Sequence, residues 1–435
     1  MRIAWLVVVA ACGSSSGQPG DASVDAPKSI DAASDASALP PLTQRAYIKS
    51  PHPAERQYFG IGVALSSDAS RLAVVEGNAV DVYVQTNQTW ALEQAIVIGV
   101  GNYGVGGSPI AMSGDGTRIL AGEMSSDARV FVRNGTAWTE ETVLVPAGEQ
   151  GNDFFGSAVA LSRDGTTAVI GAYDEDATHG AGGQTFTGAA HVFSRSGSVW
   201  SYVGKILGSN TEANDYFGWS VAASGDGSTI AVGAFGEQSK ANGVGGDQTD
   251  NSTANAGAAY VFTRTGMTYA QQAYLKSAAS QTNGGFGWSL ALSDSGDTLI
   301  GGAYDESRGI LTNSGNAYVF QRSGTTWEPE GPLVAPHPAT GALFGTSVAI
   351  SADGTAFAVG ANAETDRTGA AFVFANGIAS RYVASNAEAM DEFGRAVALS
   401  ADAKTLVVGA VGEASSNTDP SDNHAASAGA VYVFE

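Results

Sequence analysis

The chain has a single cysteine, Cys12, so no internal disulfide can form and thiol chemistry is excluded from everything downstream of it. Basic residues are also scarce. Only 21 Lys and Arg stand against 43 Asp and Glu, a formal net charge of −22. Such a chain lacks the basic stripes that a phosphate backbone needs, which argues against nucleic acid, and anionic lipid headgroups would repel it. An acidic surface that keeps the protein soluble is the plain reading of the charge. Histidine is sparse, with five residues scattered along the chain. His52 and His337 share the motif Pro-His-Pro-Ala, which reads as turn chemistry. No Gly-x-Ser-x-Gly and no His-Glu-x-x-His occurs. Gly99-Val-Gly101-Asn-Tyr-Gly104 matches a dinucleotide fingerprint by letters but lacks the strand–turn–helix setting that a pyrophosphate requires. No apolar run approaches the roughly 20 residues of a spanning helix. Helical periodicity is missing beyond the first dozen residues.

Glycine, by contrast, is plentiful: 57 residues, well above its average usage of about 7%. It falls in a repeat. Residues 153–172 read as a β-hairpin: Phe155-Gly156 opens it, Arg163-Asp164-Gly165 turns it, and Gly171-Ala172 closes it. The same opener recurs at Phe59-Gly60, Tyr103-Gly104, Phe217-Gly218, Phe286-Gly287, Phe344-Gly345 and Phe393-Gly394. The openers are spaced by 44, 52, 62, 69, 58 and 49 residues. A second half follows each hairpin, as in Gly257-Ala-Ala-Tyr-Val-Phe262 and Gly429-Ala-Val-Tyr-Val-Phe434. After most of these come Asn-Gly or Ser-Gly, an aromatic residue and one more apolar strand.

Each unit therefore holds four short strands, and seven such units predict an all-β protein, a seven-bladed β-propeller of four-stranded antiparallel blades. The innermost strands, Val159-Ala-Leu-Ser162 and its counterparts, are small and continuously apolar, as strands buried on both faces must be. The ring also closes in sequence. Ala46-Tyr-Ile-Lys-Ser50 resembles Ala273-Tyr-Leu-Lys-Ser277, a fourth strand, while the last unit ends after its third. Residues 46–50 are thus predicted to pair with 429–434 and complete the last blade. One propeller domain, 46–435, follows.

Upstream, Val9-Ala10-Ala11-Cys12 follows a short apolar run and resembles a bacterial lipobox. That resemblance implies a lipoprotein signal peptide at 1–11, cleavage before Cys12, and a diacylglycerol on its sulfur. The alternatives are an ordinary signal peptide with a chance cysteine and a mis-set start codon, since the segment is shorter than the usual 15 to 30 residues. Residues 12–45 then form a Ser, Ala, Asp and Gly-rich tether, read as disordered, with a reach of about 30 Å. Gly13 rather than Asp follows the cysteine, which by the sorting rule for such lipoproteins implies the outer membrane if the cell has two.

The Phe-Gly opener with the Gly-Ala closer resembles the FG-GAP repeat of integrin α-subunit propellers and of bacterial surface proteins. The resemblance covers nearly all of the chain after residue 45 and implies an adhesion, binding or scaffold role. Two departures matter. The closers lack the Pro of Gly-Ala-Pro, as in Gly171-Ala-Tyr and Gly409-Ala-Val. The first hairpin turns keep only Ser-x-Asp-Gly, for example Ser162-Arg-Asp164-Gly165, and one carboxylate cannot supply the six to eight oxygens calcium takes. Those aspartates are expected to cap the turn backbone.

Candidate sites lie elsewhere. The long loops of blades 4 and 7 share Asp-x-x-Asp-Asn, as Asp247, Asp250 and Asn251 and as Asp419, Asp422 and Asn423. These are the candidate ligands for a hard cation such as calcium, against the alternative of Asp and Asn bonding their own backbone. Glu175, Glu237, Glu306, Glu364 and Glu413 follow the closers, and Asp153, Asp215 and Asp391 precede openers. Such recurrence reads as architecture. Trp219 and Trp288 each follow a Phe-Gly pair in adjacent blades, either as a platform for a sugar or peptide or as packing between blades. The expected function is a non-catalytic, lipid-anchored cell-surface protein whose propeller binds a surface protein, in adhesion or as a scaffold. The alternative is a lectin-like propeller using Trp219 and Trp288. No cofactor is required by either.

Overall fold

The computed structural model describes residues 41–98, 109–123, 127–146, 153–176, 186–417, 419 and 422–435. The Tyr103-Gly104 opener, Cys12, the signal segment and most of the tether lie outside the described residues. Seven four-stranded sheets of antiparallel strands follow one another, each with strand order first to fourth from the centre outward. Blade 4 is representative: Ser220–Ala223, Thr229–Ala234, Ala258–Thr265 and Thr268–Leu275. Helix is confined, among the described residues, to one turn at Glu364–Arg367. The protein is a seven-bladed β-propeller, as the repeats predict.

Ring closure occurs as expected, two residues earlier. Gln44–Ile48 pairs antiparallel with Ala430–Phe434, with Tyr47 opposite Tyr432 and Ile48 opposite Val431. The ladder runs on through Thr43, whose N–H donates to the Glu435 carbonyl at 2.8 Å. Lys49 lies just beyond the strand, and its side chain reaches a buried carboxylate described below.

The recurring letters have a packing cause. Each opener Phe sits edge-on to aromatic rings of its own third strand, as Phe217 does against Tyr260 and Phe262, at 5.3 and 6.2 Å between centroids. The following Gly faces the preceding blade instead. The carbonyl of Gly218 in blade 4 lies so close to Gly171 in blade 3 that a Cβ on Gly171 would sit 1.9 Å from it. Gly409 of blade 7 meets the Gly60 carbonyl of blade 1 in the same way, at 2.0 Å, so the last blade docks on the first as the others dock in sequence. Both partners must be glycine for the sheets to approach this closely. The hydrophobic cores lie mainly between sheets: Phe217, Val221 and Val232 of blade 4 pack with Ala158, Val169 and Val192 of blade 3.

In the first hairpin turns, Ser and Asp share the work. Ser162 Oγ donates to Asp164 Oδ1 and accepts the N–H of Thr167, while Asp164 accepts the N–H of Thr166. These seven turns also bond to one another around the axis: Ser67 to Gly114, Gly114 to Arg163, Asp164 to Gly225, Gly225 to Asp294, Asp294 to Ala352, Ala352 to Ala401, and Ala401 back to Ser67. This closed ring of backbone hydrogen bonds locks the hub at one end.

Candidate functional site

The first strand of each blade runs from its opener to its turn, so the two ends of the propeller differ. One face carries the short turns. The other carries the openers, the closers and the loops between second and third strands, including the long loops of blades 4 and 7. A cavity of about 280 Å³ runs along the axis, walled by inner-strand residues such as Ala160, Val221, Leu290 and Val397. Towards the opener face, Ile61, Trp288, Thr346 and Arg395 line it.

Beneath the two long loops the chain builds the same arrangement twice. In blade 4, Lys276 Nζ donates to Glu237 Oε2 at 2.6 Å and Tyr274 OH donates to Oε1 at 2.8 Å. Asn210 reaches Oε1 at 3.2 Å and accepts from Tyr260 OH at 2.8 Å. In blade 7, Lys49 and Tyr47 bind Glu413 at 2.5 and 2.8 Å, and Asn386 joins Glu413 to Tyr432. Both lysines and both glutamates are buried. Burial pulls each lysine below its ordinary pKa, opposed by its carboxylate partner. The other glutamates after the closers are likewise occupied, while Asp215 and Asp391 before the openers accept the backbone N–H groups of Glu212 and Glu388. Glu175 is bonded by His191 and Lys205, each at 2.6 Å, Glu306 by Tyr318, Asn316 and Ser277, and Glu364 by Arg381. The glutamates are held mainly by side-chain donors, and the two aspartates by backbone amides as the recurrence suggests. Lys49 and Lys276 are not marked by any motif of the sequence beyond the repeated Tyr-x-Lys of the two fourth strands.

The Asp-x-x-Asp-Asn residues hold their own loops. Asp247 accepts from the N–H and hydroxyl of Thr249, and Asp250 from the N–H of Ser252 with Lys240 at 3.4 Å. Hydrogen bonds from Thr249 and Ser252, respectively, hold both below the usual carboxylate range. Asp422 is bonded by His424, Ser416 and Asn417, and the His424 bond leads in holding it down at about 2. The carbonyl of Asp419 accepts from Ser415 Oγ at 2.7 Å. Asn251 and Asn423 each donate to a glutamate on the connection before the opener, Glu212 at 2.6 Å and Glu388 at 2.8 Å. Among the described residues, no group of three or more His, Cys, Asp and Glu side chains is gathered as metal ligands.

Trp219 and Trp288 are in contact, 4.7 Å apart and tilted by 45°, so they do not form one flat platform. Trp219 is only 6% exposed, and its indole N–H is buried without an acceptor. Trp288 is half-buried and reaches the cavity. The two belong to a larger belt that the sequence reading did not assemble. Phe154 stacks on Tyr173 at 5.0 Å, and Tyr173 meets Trp219 at 5.0 Å. Phe186 stacks on Tyr216, Tyr216 on Phe235, and Phe235 meets both indoles at 4.5 and 5.3 Å. Tyr304 ends the row, 4.1 Å from Trp288. Trp219 excepted, all of these rings are half-buried. They come from the openers and closers of blades 3, 4 and 5 and, for Phe186, from the loop between the second and third strands of blade 3, all on one face, though they span residues 154–304.

An all-β wheel with sealed turns at one end and an aromatic belt beside an open mouth at the other defines an interaction propeller, a fold whose loops present surface for binding another protein. The FG-GAP repeat matches residues 138–193, 200–262, 327–374 and 379–434, just over half of the chain. The chain belongs to the FG-GAP repeat family, as the integrin-like openers and closers imply. No curated protein matches it significantly. Among the described residues no helix is long and apolar enough to cross a membrane.

Proposed function

We propose that this is a non-catalytic, lipid-anchored cell-surface protein whose propeller binds another protein through the face carrying the openers and long loops, in adhesion or as a scaffold. The observation that carries the reading is the aromatic belt. Half-buried Tyr, Phe and Trp rings offer large apolar area with few rotatable bonds, and such rings dominate the energetics of protein interfaces. The belt flanks an open cavity and a long, internally braced loop, so the surface is shaped before a partner arrives and little ordering is needed on binding. The net charge of −22 disfavours nucleic acid as that partner. The lipobox-like Val9-Ala-Ala-Cys12 supports anchoring through Cys12, with the following segment as a tether, at the outer membrane in a cell that has two.

The test uses the immobilised full chain and its Phe235→Ala variant against solubilised membrane extract and against a glycan array. A protein retained at least about tenfold better by the wild type supports the proposal. Glycan retention lost in Trp288→Ala assigns the lectin reading instead. Retention of neither class overturns both. Anchoring is tested separately by labelling with a palmitate analogue, which Cys12→Ser must abolish.

A further inference from the structure

We infer that Arg395 anchors a carboxylate-binding site in the mouth of the central cavity, and that its occupant is an Asp or Glu side chain presented by the protein partner; the identity of the occupant rests on the function proposed above. Arg395 stands two residues after the blade 7 opener. The same position holds Ile61, Ser157, Trp219, Trp288 and Thr346 in other blades, so among the described residues only blade 7 places an ionisable group there. The side chain lines a cavity walled mostly by Ala, Val, Leu and Ile, with Ser220, Ser289, Thr346 and Ser347 among them.

What singles it out is its place: it lines the axial cavity and has no protein partner there, in a protein with twice as many acids as bases. The guanidinium of Arg395 makes no ion pair and no hydrogen bond to any described residue. Arginines of the outer strands and loops are often paired, as Arg118 with Glu141, Arg129 with Glu123, Arg133 with Glu93 and Arg381 with Glu364, while Arg71 keeps a buried Nε without a partner but lies outside the cavity. The acid nearest in sequence, Glu392, is bonded to Arg367. Burial pulls the Arg395 guanidinium below its ordinary pKa, with Glu392 opposing, yet arginine stays protonated in proteins. A fixed positive charge therefore stands half-buried in the cavity with its fork of N–H donors unbonded to the protein. That fork matches the two oxygens of a carboxylate, and partial burial strengthens the pair over one in open water.

The chemistry of the occupant follows from the setting. A phosphate or a polyanion would meet repulsion from Asp391 and Glu392 beside the same opener, as well as from the charge of the whole chain. A single carboxylate carries the least charge that still satisfies the fork. At about 280 Å³, the cavity falls just short of the roughly 300 Å³ at which small-molecule sites begin, and suits one side chain entering from a partner seated on the belt. Trp288, which belongs to both the belt and the cavity lining, joins the two surfaces.

The experiment is a titration of the full chain with acetyl-Gly-Asp-Gly-amide, acetyl-Gly-Asn-Gly-amide, sodium acetate and sodium chloride. It is followed through the Arg395 Nε–H resonance and Trp288 fluorescence. The Asp peptide and acetate should shift both signals saturably, and the Asn peptide should not. Arg395→Gln should weaken the Asp peptide at least tenfold, and Arg395→Lys should retain part of the response. An Asn peptide as effective as the Asp peptide, or full binding by Arg395→Gln, overturns the site. Saturation by chloride at the same concentration reduces it to an unselective anion pit and overturns the occupant. The titration needs no partner, so its failure leaves the belt proposal standing. A positive titration by a chain that retains no protein keeps the site and removes only its proposed occupant.

Discussion

Arg163 of blade 3 spans the hub of the turn face to form an ion pair with Asp294 of blade 5, while a second nitrogen of the same guanidinium donates to Ser67 Oγ of blade 1 at 2.7 Å. One side chain thereby ties three non-adjacent blades. It lies directly over Gly114 of blade 2, where a Cβ would come within 2.3 Å of the Arg163 side chain. The backbone ring of the seven turns sits around it. This end of the propeller is locked twice, by main chain and by side chain, and the opener face is left as the end with free surface.

Removing that brace should be cheap, because both charged groups are about a third exposed and water screens their attraction. Arg163→Ala is expected to cost about 1 kcal/mol in urea unfolding. The loss should shrink in about 1 M salt, where the screening length falls to roughly 3 Å. Asp294→Ala should cost a similar amount, and the double variant less than the sum, because the two changes remove one interaction. An additive double variant would show that the pair contributes nothing.

The glycines of the blade contacts should behave very differently from those in turns. Gly171→Ala places a methyl 1.9 Å from the Gly218 carbonyl, and backbone in the next sheet cannot yield cheaply. The cost should exceed about 3 kcal/mol or abolish folding. Gly197 has open space where its Cβ would be but a φ of +63°, so Gly197→Ala should cost only about 1 kcal/mol through backbone strain. Midpoints of denaturant unfolding compare the two. Equal losses would mean that the blades do not approach as closely as described.

Breaking the buried pair of blade 4 should reveal its desolvation cost. Lys276→Met leaves Glu237 charged and buried, which is expected to cost about 3 kcal/mol. Adding Glu237→Gln removes the stranded charge while Tyr274 and Asn210 keep a hydrogen-bond partner, so the double variant should recover most of the loss. In blade 7, Lys49→Met should do more. Lys49 also donates to the Gly429 carbonyl at 2.6 Å, and it follows the strand that closes the ring. Limited proteolysis should cut that variant near residue 50 before its blade 4 counterpart is cut anywhere.

How much of this could be read from the letters depends on whether a feature repeats. Phe-Gly and Gly-Ala recur because every blade interface poses the same steric problem, and so the blade number and the closing strand were legible. Tyr47-Ile-Lys49 and Tyr274-Leu-Lys276 were visible as similar strands, but the glutamates they bind lie across the sheet, and strand similarity alone does not show what a side chain reaches. Arg163 and Arg395 each occur in one blade. Their significance comes from position around an axis, which no local pattern encodes. Only the two indoles of the belt stood out, since Phe154, Tyr173, Phe186, Tyr216, Phe235 and Tyr304 are brought together by the stacking of three blades.

Blade 1 departs from this scheme and should make stability fall with rising pH. Its third strand carries Asp81 where blade 4 has Tyr260, and Asp81 and Glu76 are both buried with an oxygen that finds no donor. Burial, then the Glu76 charge, pushes Asp81 from 3.8 up to about 7, against a weak opposing bond from Tyr83. A folded pKa above the unfolded one means that the contribution is fully present below about 4 and is lost as pH rises through 7. Asp81→Asn removes the titration, so it should stabilise the protein by about 4 kcal/mol at pH 8 and by progressively less towards pH 5. Asp115 supplies the opposite slope. Burial raises it, but bonds from Ser113 and Thr117 outweigh that and hold it below its ordinary value. Its contribution is therefore present at neutral pH and lost as pH falls through the folded pKa. Asp115→Asn should destabilise at pH 7 and become neutral in acid. Thermal unfolding of the two variants from pH 3 to 8 checks both signs, and parallel curves would mean that neither carboxyl titrates differently on folding.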